Sequence, residues 1–203
     1  MPFFSVIVPE HNSAKHMRKG LETIKNQTFT DYELIIICDA CDDNTAEIAR
    51  EYSNKVYEIN AKTAGAARNL GLEKATGEWI LFMDDDDWWL HEYVFEMLAK
   101  KLRETKEDIL CFSFIFKGQG YAKCGLWDAI WNKAWRKSFI ESKPYRFPLV
   151  PIADDTGFSA ETLPHARKAF WDMPLYYYNY MHEGSLSWRQ KQGEFKTHEY
   201  KNI

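Results

Sequence analysis

The first half of the chain alternates short strand-like apolar runs with segments of helical periodicity, and this alternation restricts the fold more than any other feature. Apolar runs occupy residues 3–9, 33–38 and 78–83, and a shorter strand pattern covers residues 55–59. Continuous apolar runs of this length are typical of strands buried on both faces of a parallel sheet. We therefore predict an α/β sandwich with a central, mostly parallel sheet covered by helices on both sides.

Helical patterns fill the intervals between these strands. They occupy residues 14–26, 45–52 and 64–75, and residues 42–45 supply side chains suited to a helix N-terminus. The second half is less regular. It predicts helices at residues 91–103, 129–140 and 155–170, and strands at residues 109–116 and 175–178.

Polar segments, mostly acidic, follow three of the predicted strands. They cover residues 9–12, 39–43 and 84–87. In open α/β sheets, ligands bind at the carboxyl ends of the strands. We therefore expect these segments to meet at one edge of the sheet and to line an acidic cleft.

Residues 84–87 are four consecutive aspartates at a strand end. Carboxylates this close repel one another unless something neutralises them. Mg²⁺ and Mn²⁺ prefer oxygen ligands, and Mg²⁺ usually binds one or two carboxylates together with substrate phosphates. The run therefore indicates a site for a metal–diphosphate complex. The alternative is a solvated turn or the start of a helix at Trp88, and the run alone favours neither.

Residues 63–69 place small side chains, followed by Arg68, at a predicted helix start. Small residues let a ligand approach the backbone, and a helix N-terminus favours anions. Arg68 could reach a phosphate there. Alternatively Arg68 pairs with the acidic run, which would still place it in the site.

Several segments together resemble the family 2 glycosyltransferases with the GT-A fold. The segments with matching order and spacing are residues 5–13, 26–35, 64–69 and 77–88, with looser matches at residues 131–133, 153–158, 174–178 and 182–187. The resemblance implies a Rossmann-like α/β/α sandwich. It also implies transfer of a sugar from a nucleotide-diphosphate donor, usually UDP-linked, to a hydroxyl of a carbohydrate or lipid-linked acceptor. Surface polysaccharide or glycoconjugate synthesis would be the setting.

The same resemblance implies a domain organisation and a cofactor. Residues 1–187 would form a single GT-A domain, with a nucleotide-binding half at about 1–100 and an acceptor half at about 101–187. Residues 188–203 are polar, and we expect them to form a mobile tail. Mn²⁺ or Mg²⁺ would be the metal.

The resemblance also implies roles for individual residues on the donor side. Pro9, Glu10 and His11 would line the nucleobase pocket, and Asp39 would hydrogen-bond the base or the ribose. Arg68 would lie near the nucleotide.

The metal and the chemistry would belong to the later carboxylates. Asp86 would bind the metal directly, with Asp84 as a second metal contact nearer the ribose or donor sugar. Asp155 would be the catalytic base and Asp154 an acidic contact to the acceptor. One displacement assisted by such a base inverts the anomeric centre. As alternatives, Asp154 and Asp155 could simply cap a helix, and His182 could either contact the metal–diphosphate or lie free at the surface.

The loop after the second strand departs from the family pattern. Cys38 stands where a first acid is usual, Ala40 where Gly is usual and Cys41 where Ser is usual, while His11 replaces a common Tyr. Cys38 and Cys41 also form a C-x-x-C pair, but no second Cys/His pair accompanies them. We therefore favour small residues filling a strand end over a metal or redox site.

Composition and charge narrow the remaining function classes. The net charge of −4 and the lack of a dense Lys/Arg block argue against nucleic acid as the partner. No apolar run reaches the roughly 20 residues that span a bilayer, and we see no export signal. We expect a cytoplasmic protein with reduced thiols. An exposed patch of Trp127, Trp131 and Trp135 could bind the inner face of a membrane, although core packing is the alternative we favour.

Two other function classes stay open. One is a degenerate, binding-only protein that holds a nucleotide sugar without turnover, motivated by Cys38 and the short C-terminal segment. The other is a nucleotidyltransferase, which would require a Gly-rich basic phosphate loop near the N-terminus, unlike residues 9–12. The pattern specifies no oligomeric state.

Overall fold

The computed structural model describes residues 1–125, 127–180 and 185–193. The strands are β1 (Phe4–Glu10), β2 (Tyr32–Asp39), β3 (Lys55–Ile59), β4 (Trp79–Phe82), β5 (Trp88–Trp89), β6 (Ile109–Phe116), β7 (Gly120–Ala122), β8 (Lys133–Arg136) and β9 (Lys168–Tyr178). The helices are α1 (Met17–Lys25), α2 (Thr45–Tyr52), α3 (Ala64–Lys74), α4 (Val94–Arg103), α5 (Lys137–Glu141), α6 (Asp154–Thr162) and α7 (Leu186–Lys191), with a 3-10 turn at Leu163–His165.

The strands of the described residues form one sheet. Their order is β3-β2-β1-β4-β8-β6-β9-β5, and β7 pairs with β6. Strands β1 to β4 are parallel to one another, whereas β8 runs antiparallel to both of its neighbours, β4 and β6. β9 is parallel to β6 and antiparallel to β5. The predicted parallel sheet is therefore the first half of a larger sheet that continues through antiparallel strands.

Side chains of β1 alternate between two apolar layers, one on each face of the sheet. Val6 and Val8 pack in the layer that contains α1, α2 and α4. Ile7 packs in the opposite layer, with residues of α3, α5 and α6. All three side chains are fully buried, and each such burial is worth about 1.5–3 kcal/mol. The expected α/β/α sandwich is therefore present.

The helix predicted at residues 129–140 is wrong. The chain there forms β8 and then the short helix α5. Ala134 and Trp135 point to opposite apolar layers, as strand residues do, and β8 fills the gap between β4 and β6. Pairing on both sides outweighs the helical propensity of this segment.

The helix predicted at residues 155–170 is too long at its C-terminal end. Helix α6 ends at Thr162, and the 3-10 turn that follows contains Pro164. Proline has no backbone N–H to continue a helix. From Lys168 the chain pairs with β6 along the whole of β9, which extends the short strand predicted at residues 175–178.

The predicted boundary at residue 187 falls inside α7, so the first part of the expected tail is helical. Residues 194–203 lie outside the described part of the chain. Trp131 and Trp135 are buried, so the three tryptophans do not form an exposed membrane-binding patch. None of the helices in the described ranges is long and apolar enough to cross a bilayer.

Candidate active site

The polar segments that follow β1, β2 and β4 meet at one edge of the sheet, as predicted. These strands are neighbours and parallel, so their carboxyl ends coincide. His11 Nδ1 lies 2.6 Å from the backbone carbonyl oxygen of Asp39, which joins the first two segments. His16 Nε2, just after the first segment, lies 3.5 Å from Asp85 Oδ2, which places the third segment beside the first.

Glu10 ends β1 as a buried carboxyl group, 2% exposed. Burial raises the pKa of Glu10 well above its ordinary value. The Ser13 hydroxyl donates to Oε2, while Oε1 is buried without a hydrogen-bond partner among the described residues. Neighbouring His11 is exposed, and Pro9 is half-buried in β1. The predicted nucleobase pocket therefore has the exposed side chain of His11 and the buried carboxyl group of Glu10, with Pro9 half-buried beside them.

Asp39, at the end of β2, is largely occupied by backbone donors. Its Oδ1 accepts from the N–H groups of Ala61 and Lys62 at 2.7 and 2.9 Å, and its Oδ2 accepts from Thr63 N–H at 2.8 Å. A carboxylate offers about four lone-pair positions, so roughly one remains. Asp39 thus organises the loop that enters α3, and it can make about one further bond to a ligand.

The two cysteines beside Asp39 do not behave as reactive thiols. Cys38 is 1% exposed, and burial raises its pKa to about 12. Burial also raises the pKa of Cys41, whose thiol donates weakly to the Glu10 carbonyl oxygen at 3.6 Å. Both residues are free cysteines. They fill the strand end and the turn, as the sequence suggested.

Arg68 links the acidic run after β4 to Asp154 in the second half of the chain. It projects from α3, is 7% exposed, and donates to Asp84 Oδ1 at 2.7 Å and to Asp154 Oδ2 at 2.5 Å. Burial alone would lower the pKa of Arg68, but Asp154 and Asp84 outweigh it and raise the pKa. The buried guanidinium is therefore charged and held between two carboxylates. This arrangement fulfils the alternative in which Arg68 pairs with the acidic run.

Asp84 and Asp86 lie at the centre of this edge, immediately after β4. Burial and the neighbouring charge of Asp86 raise the pKa of Asp84 to about 7, against the opposing effect of Arg68. Both side chains are partly exposed. Within the described ranges, no set of three or more His, Cys, Asp or Glu side chains is placed to hold a metal. Two carboxylates that need neutralising nevertheless fit Mg²⁺ or Mn²⁺, because such ions complete their shell with water and phosphate oxygens.

Asp154 and Asp155 occupy the first turn of α6. The residue before them, Ala153, has a left-handed backbone with φ 64° and makes no side-chain capping bond. Asp154 is 6% exposed and turns to Arg68, so it does not act as a simple cap. Burial raises the pKa of Asp155 above its ordinary value, and Arg68 opposes that rise. Asp155 is the partly exposed carboxylate of the pair.

Sequence reasoning missed two buried groups next to the site. Lys133 is fully buried, and its ammonium donates to Trp127 O at 2.7 Å and to Asn132 Oδ1 at 2.8 Å, while burial lowers its pKa to about 8. Tyr176 is fully buried beneath residues 84–87. Neither had a signal beyond the loose family match of its segment. His182 lies outside the described residues.

Residues 5–160 match the model of Glycosyl transferase family 2. The chain belongs to this family. Among its relatives, EpsH of Bacillus subtilis (strain 168) is 30% identical over 227 residues, which cover 97% of this chain and 66% of EpsH. The poly(ribitol-phosphate) beta-N-acetylglucosaminyltransferase TarS of Staphylococcus aureus (strain Mu50 / ATCC 700699) is 34% identical over 115 residues, covering 53% of this chain and 20% of TarS.

Solved structures of other proteins share the fold. The crystal structure of S. aureus TarS 1–349 in complex with UDP-GlcNAc superposes with a TM-score of 0.79 at 26% identity, and covers 88% of this chain and 58% of that one. The mannosyltransferase PcManGT of Pyrobaculum calidifontis, solved with GDP-Man and Mn²⁺, has a TM-score of 0.74 at 18% identity, covering 95% and 61%. The predicted GT-A-type α/β fold is confirmed. The chain spans less than two thirds of the length of these relatives.

Proposed function

We propose that this chain is a metal-dependent, inverting glycosyltransferase that moves a sugar from a UDP-sugar to an acceptor hydroxyl. The observation that carries the proposal is the bridge from Asp84 through Arg68 to Asp154, next to Asp155. The bridge sets the metal-type carboxylate Asp84 on one side of a buried cation and Asp154, the neighbour of Asp155, on the other. A donor diphosphate and an acceptor hydroxyl need these two kinds of group close together.

Asp155 acts as the base in this mechanism. Its carboxylate takes the proton of the acceptor hydroxyl while the hydroxyl oxygen forms a bond to the anomeric carbon. The bond from that carbon to the diphosphate oxygen breaks in the same step, and the nucleoside diphosphate leaves. Attack opposite the leaving group inverts the anomeric centre. The raised pKa of Asp155 suits a group that must accept a proton near neutral pH.

The other carboxylates of the site bind the metal ion or orient neighbouring groups. Asp86 and Asp84 are the proposed ligands of Mn²⁺ or Mg²⁺, an ion that supplies positive charge where negative charge develops on the leaving diphosphate. Arg68 donates to Asp154. We therefore propose that the main role of Asp154 is to orient α6 and Asp155, and not to contact the acceptor directly. Pro9, Glu10, His11 and Asp39 remain the proposed base and ribose side.

A UDP-sugar is the proposed donor class, and a surface polysaccharide or glycoconjugate the proposed product. TarS, which shares 26% identity over 88% of this chain, binds UDP-GlcNAc. UDP-GlcNAc is therefore the first donor to test. We propose a carbohydrate or lipid-linked acceptor.

Calorimetric titration tests the donor site. UDP is titrated into wild type with and without Mn²⁺, with GDP as the competing nucleotide. We expect UDP to bind at least tenfold more tightly with Mn²⁺ than without it, or to bind only when Mn²⁺ is present. Asp86→Ala should abolish that difference. Asp85→Ala is the matched control. It removes the same charge from the neighbouring residue, whose side chain faces His16 at 3.5 Å. Metal-independent binding, or no binding of either nucleotide, would refute the donor site.

Turnover separates the enzyme from the binding-only alternative. Two observations favour that alternative: backbone donors already occupy most of the Asp39 carboxylate, and Cys38 offers no carboxylate to the nucleotide. UDP release from UDP-GlcNAc is measured with a panel of saccharide acceptors and with water alone. Release by wild type that Asp155→Asn loses supports the transferase, whereas unchanged donor binding without release supports the binding-only protein. A nucleotidyltransferase would instead release pyrophosphate when it is given UTP and a sugar 1-phosphate, which is measured as a separate reaction.

A further inference from the structure

The fourth aspartate of the acidic run differs from the other three in its surroundings. Asp87 is 0% exposed, and its two carboxylate oxygens have separate donors. The Tyr176 hydroxyl donates to Oδ2 at 2.8 Å, and the Asn179 backbone N–H donates to Oδ1 at 2.8 Å. Both donors belong to β9 or to the residue just beyond its end. Asp87 is thus tied to β9 and shielded from solvent.

Tyr176 holds the same run at a second point. Its hydroxyl oxygen accepts from the backbone N–H of Asp84 at 3.2 Å, so one hydroxyl spans the first and the last aspartate. The ring is fully buried and cannot easily move, because Trp131 stacks on it at 4.9 Å and Trp89 meets its edge at 5.1 Å. The hydroxyl is therefore fixed in position before any ligand arrives.

The backbone around this contact is clamped on both sides. Strand β5 pairs with β9 through Trp89 and Tyr176, and Leu90 N–H donates to the Leu175 carbonyl oxygen at 3.0 Å. On the other side, a Cβ added at Gly20 of α1 would lie 2.5 Å from the Asp87 carbonyl oxygen. Helix α1 therefore approaches the run as closely as a residue without a side chain allows.

We propose that Tyr176 and Asp87 are positioning residues that set the geometry of the metal-binding carboxylates Asp84 and Asp86. This inference rests on the proposed function. Tyr176 holds the main chain at the start of the run, Asp87 anchors its end, and Asp86 lies between them. Loss of the hydroxyl leaves the buried Oδ2 of Asp87 and the Asp84 N–H without their partner. The run then shifts to find other partners, and the two carboxylates lose their fixed spacing.

Tyr176→Phe tests the proposal through metal-dependent nucleotide binding. UDP affinity is measured by calorimetry with and without Mn²⁺. We expect the gain in affinity that Mn²⁺ gives wild type to fall about tenfold or more, since one buried hydrogen-bond partner is lost. Tyr177→Phe is the matched control. It removes a hydroxyl from the next residue of β9, whose ring stacks on Trp88 at 4.1 Å on the opposite side of the strand, and its Mn²⁺ gain should equal that of wild type.

The outcomes separate this inference from the proposed function. If wild type shows no Mn²⁺-dependent UDP binding, the proposed function fails and this inference fails with it. If wild type binds and Tyr176→Phe keeps the full Mn²⁺ gain, only the positioning role is wrong, even where the variant melts at a lower temperature. Should Tyr176→Phe lack a cooperative unfolding transition, Asp87→Asn decides by the same two titrations, because it keeps one acceptor oxygen and the size of the side chain.

Discussion

At the scale of single residues, the four aspartates of the acidic run have four different environments. Asp84 pairs with Arg68, Asp85 faces His16 at 3.5 Å, and Asp87 is buried beneath β9. Asp86 is partly exposed between them. A run that reads as one feature in the sequence therefore divides into ligand candidates at Asp84 and Asp86, a surface carboxylate and an anchor. Substitutions along it should give different phenotypes.

The pH dependence of turnover should report Asp155. A base must be unprotonated to work, and burial raises the pKa of this carboxyl group. We therefore expect kcat/KM for UDP-sugar turnover to rise with pH through that raised pKa and then level off. Asp155→Asn should lower kcat by about 10²–10⁴-fold while UDP affinity stays unchanged. The control is Asp128→Asn, which removes an exposed carboxylate from the same half of the chain. A flat pH profile for wild type would contradict the assignment.

Two alanines adopt backbone angles that favour glycine, and both stand beside site residues. Ala40 has φ 52° after Asp39, and Ala153 has φ 64° before Asp154. A left-handed backbone costs a residue with a Cβ about 1–2 kcal/mol. Glycine avoids this cost, but its greater freedom in the unfolded chain offsets part of the benefit. We expect Ala40→Gly and Ala153→Gly each to raise the free energy of unfolding by about 0.5–1 kcal/mol in urea titrations.

Ala166→Gly is the matched control for that pair. Ala166 has φ −88°, an ordinary value for alanine, and is 8% exposed. Glycine there gains no relief of strain and loses a buried methyl group, so it should lower the free energy of unfolding. Destabilisation by all three substitutions would mean that the left-handed angles carry no strain.

At the scale of secondary-structure elements, Glu33 of β2 ties three segments together. Its Oε1 accepts from the Ser5 hydroxyl at 2.5 Å and from Thr76 N–H at 2.6 Å, and its Oε2 accepts from Lys55. Burial would raise the pKa of Glu33, but these donors outweigh burial and lower the pKa to about 2. The ionised group therefore links β1, β3 and the turn before β4 to β2.

Glu33→Gln should cost stability in a defined pH window. The folded pKa of about 2 lies below the unfolded value of about 4.3, so the ionised carboxylate stabilises folding at neutral pH. We expect the variant to lose about 2 kcal/mol at pH 7, and its difference from wild type to shrink as the pH falls from about 4 towards 2. Urea unfolding at several pH values measures this. Glu47→Gln, on the exposed face of α2, should show neither effect, and a difference that stays constant with pH would contradict the linkage.

The sequence predicted the elements whose own pattern decides their structure. Strands β2 and β6 contain apolar runs, at residues 34–38 and 109–112, that are buried on both faces, so the pattern and the structure agree there. β8 could not be predicted in this way, because its strand form comes from β4 and β6 on either side and not from its own residues. The same holds for β5, whose two residues are a strand only because β9 lies beside them.

The candidate site was predictable where the chain places residues directly after strands. The meeting of Glu10, Asp39 and the acidic run follows from three parallel neighbouring strands. The partners of those residues come from far along the chain and were not predictable. Asp154 is 86 positions from Arg68, and Tyr176 is 89 positions from Asp87. No local sequence pattern shows which of several acidic residues will form an ion pair with a buried arginine.

At the scale of the whole molecule, local stability should differ sharply across the single sheet. The central strands β1 and β4 are almost entirely buried, whereas β7, within the part of the chain that the structure describes, pairs with β6 alone and is largely exposed. Amide hydrogen exchange should therefore be slowest in β1, β2 and β4, at the rate of global unfolding, and fast in β7. Exchange in β7 as slow as in β1 would mean that the far end of the sheet unfolds together with the first half.

The Arg68 bridge has a consequence for chimeras between relatives. Arg68 and Asp84 belong to the first half of the chain and Asp154 to the second, so the ion pairs cross the seam at which two homologous enzymes would be joined. A transplanted second half without an acid at position 154 would leave the buried Arg68 guanidinium with one carboxylate partner. Asp84 alone would then have to balance its charge. Grafts of the second half would then also alter the acidic run after β4, unless Arg68, Asp84 and Asp154 are transferred together.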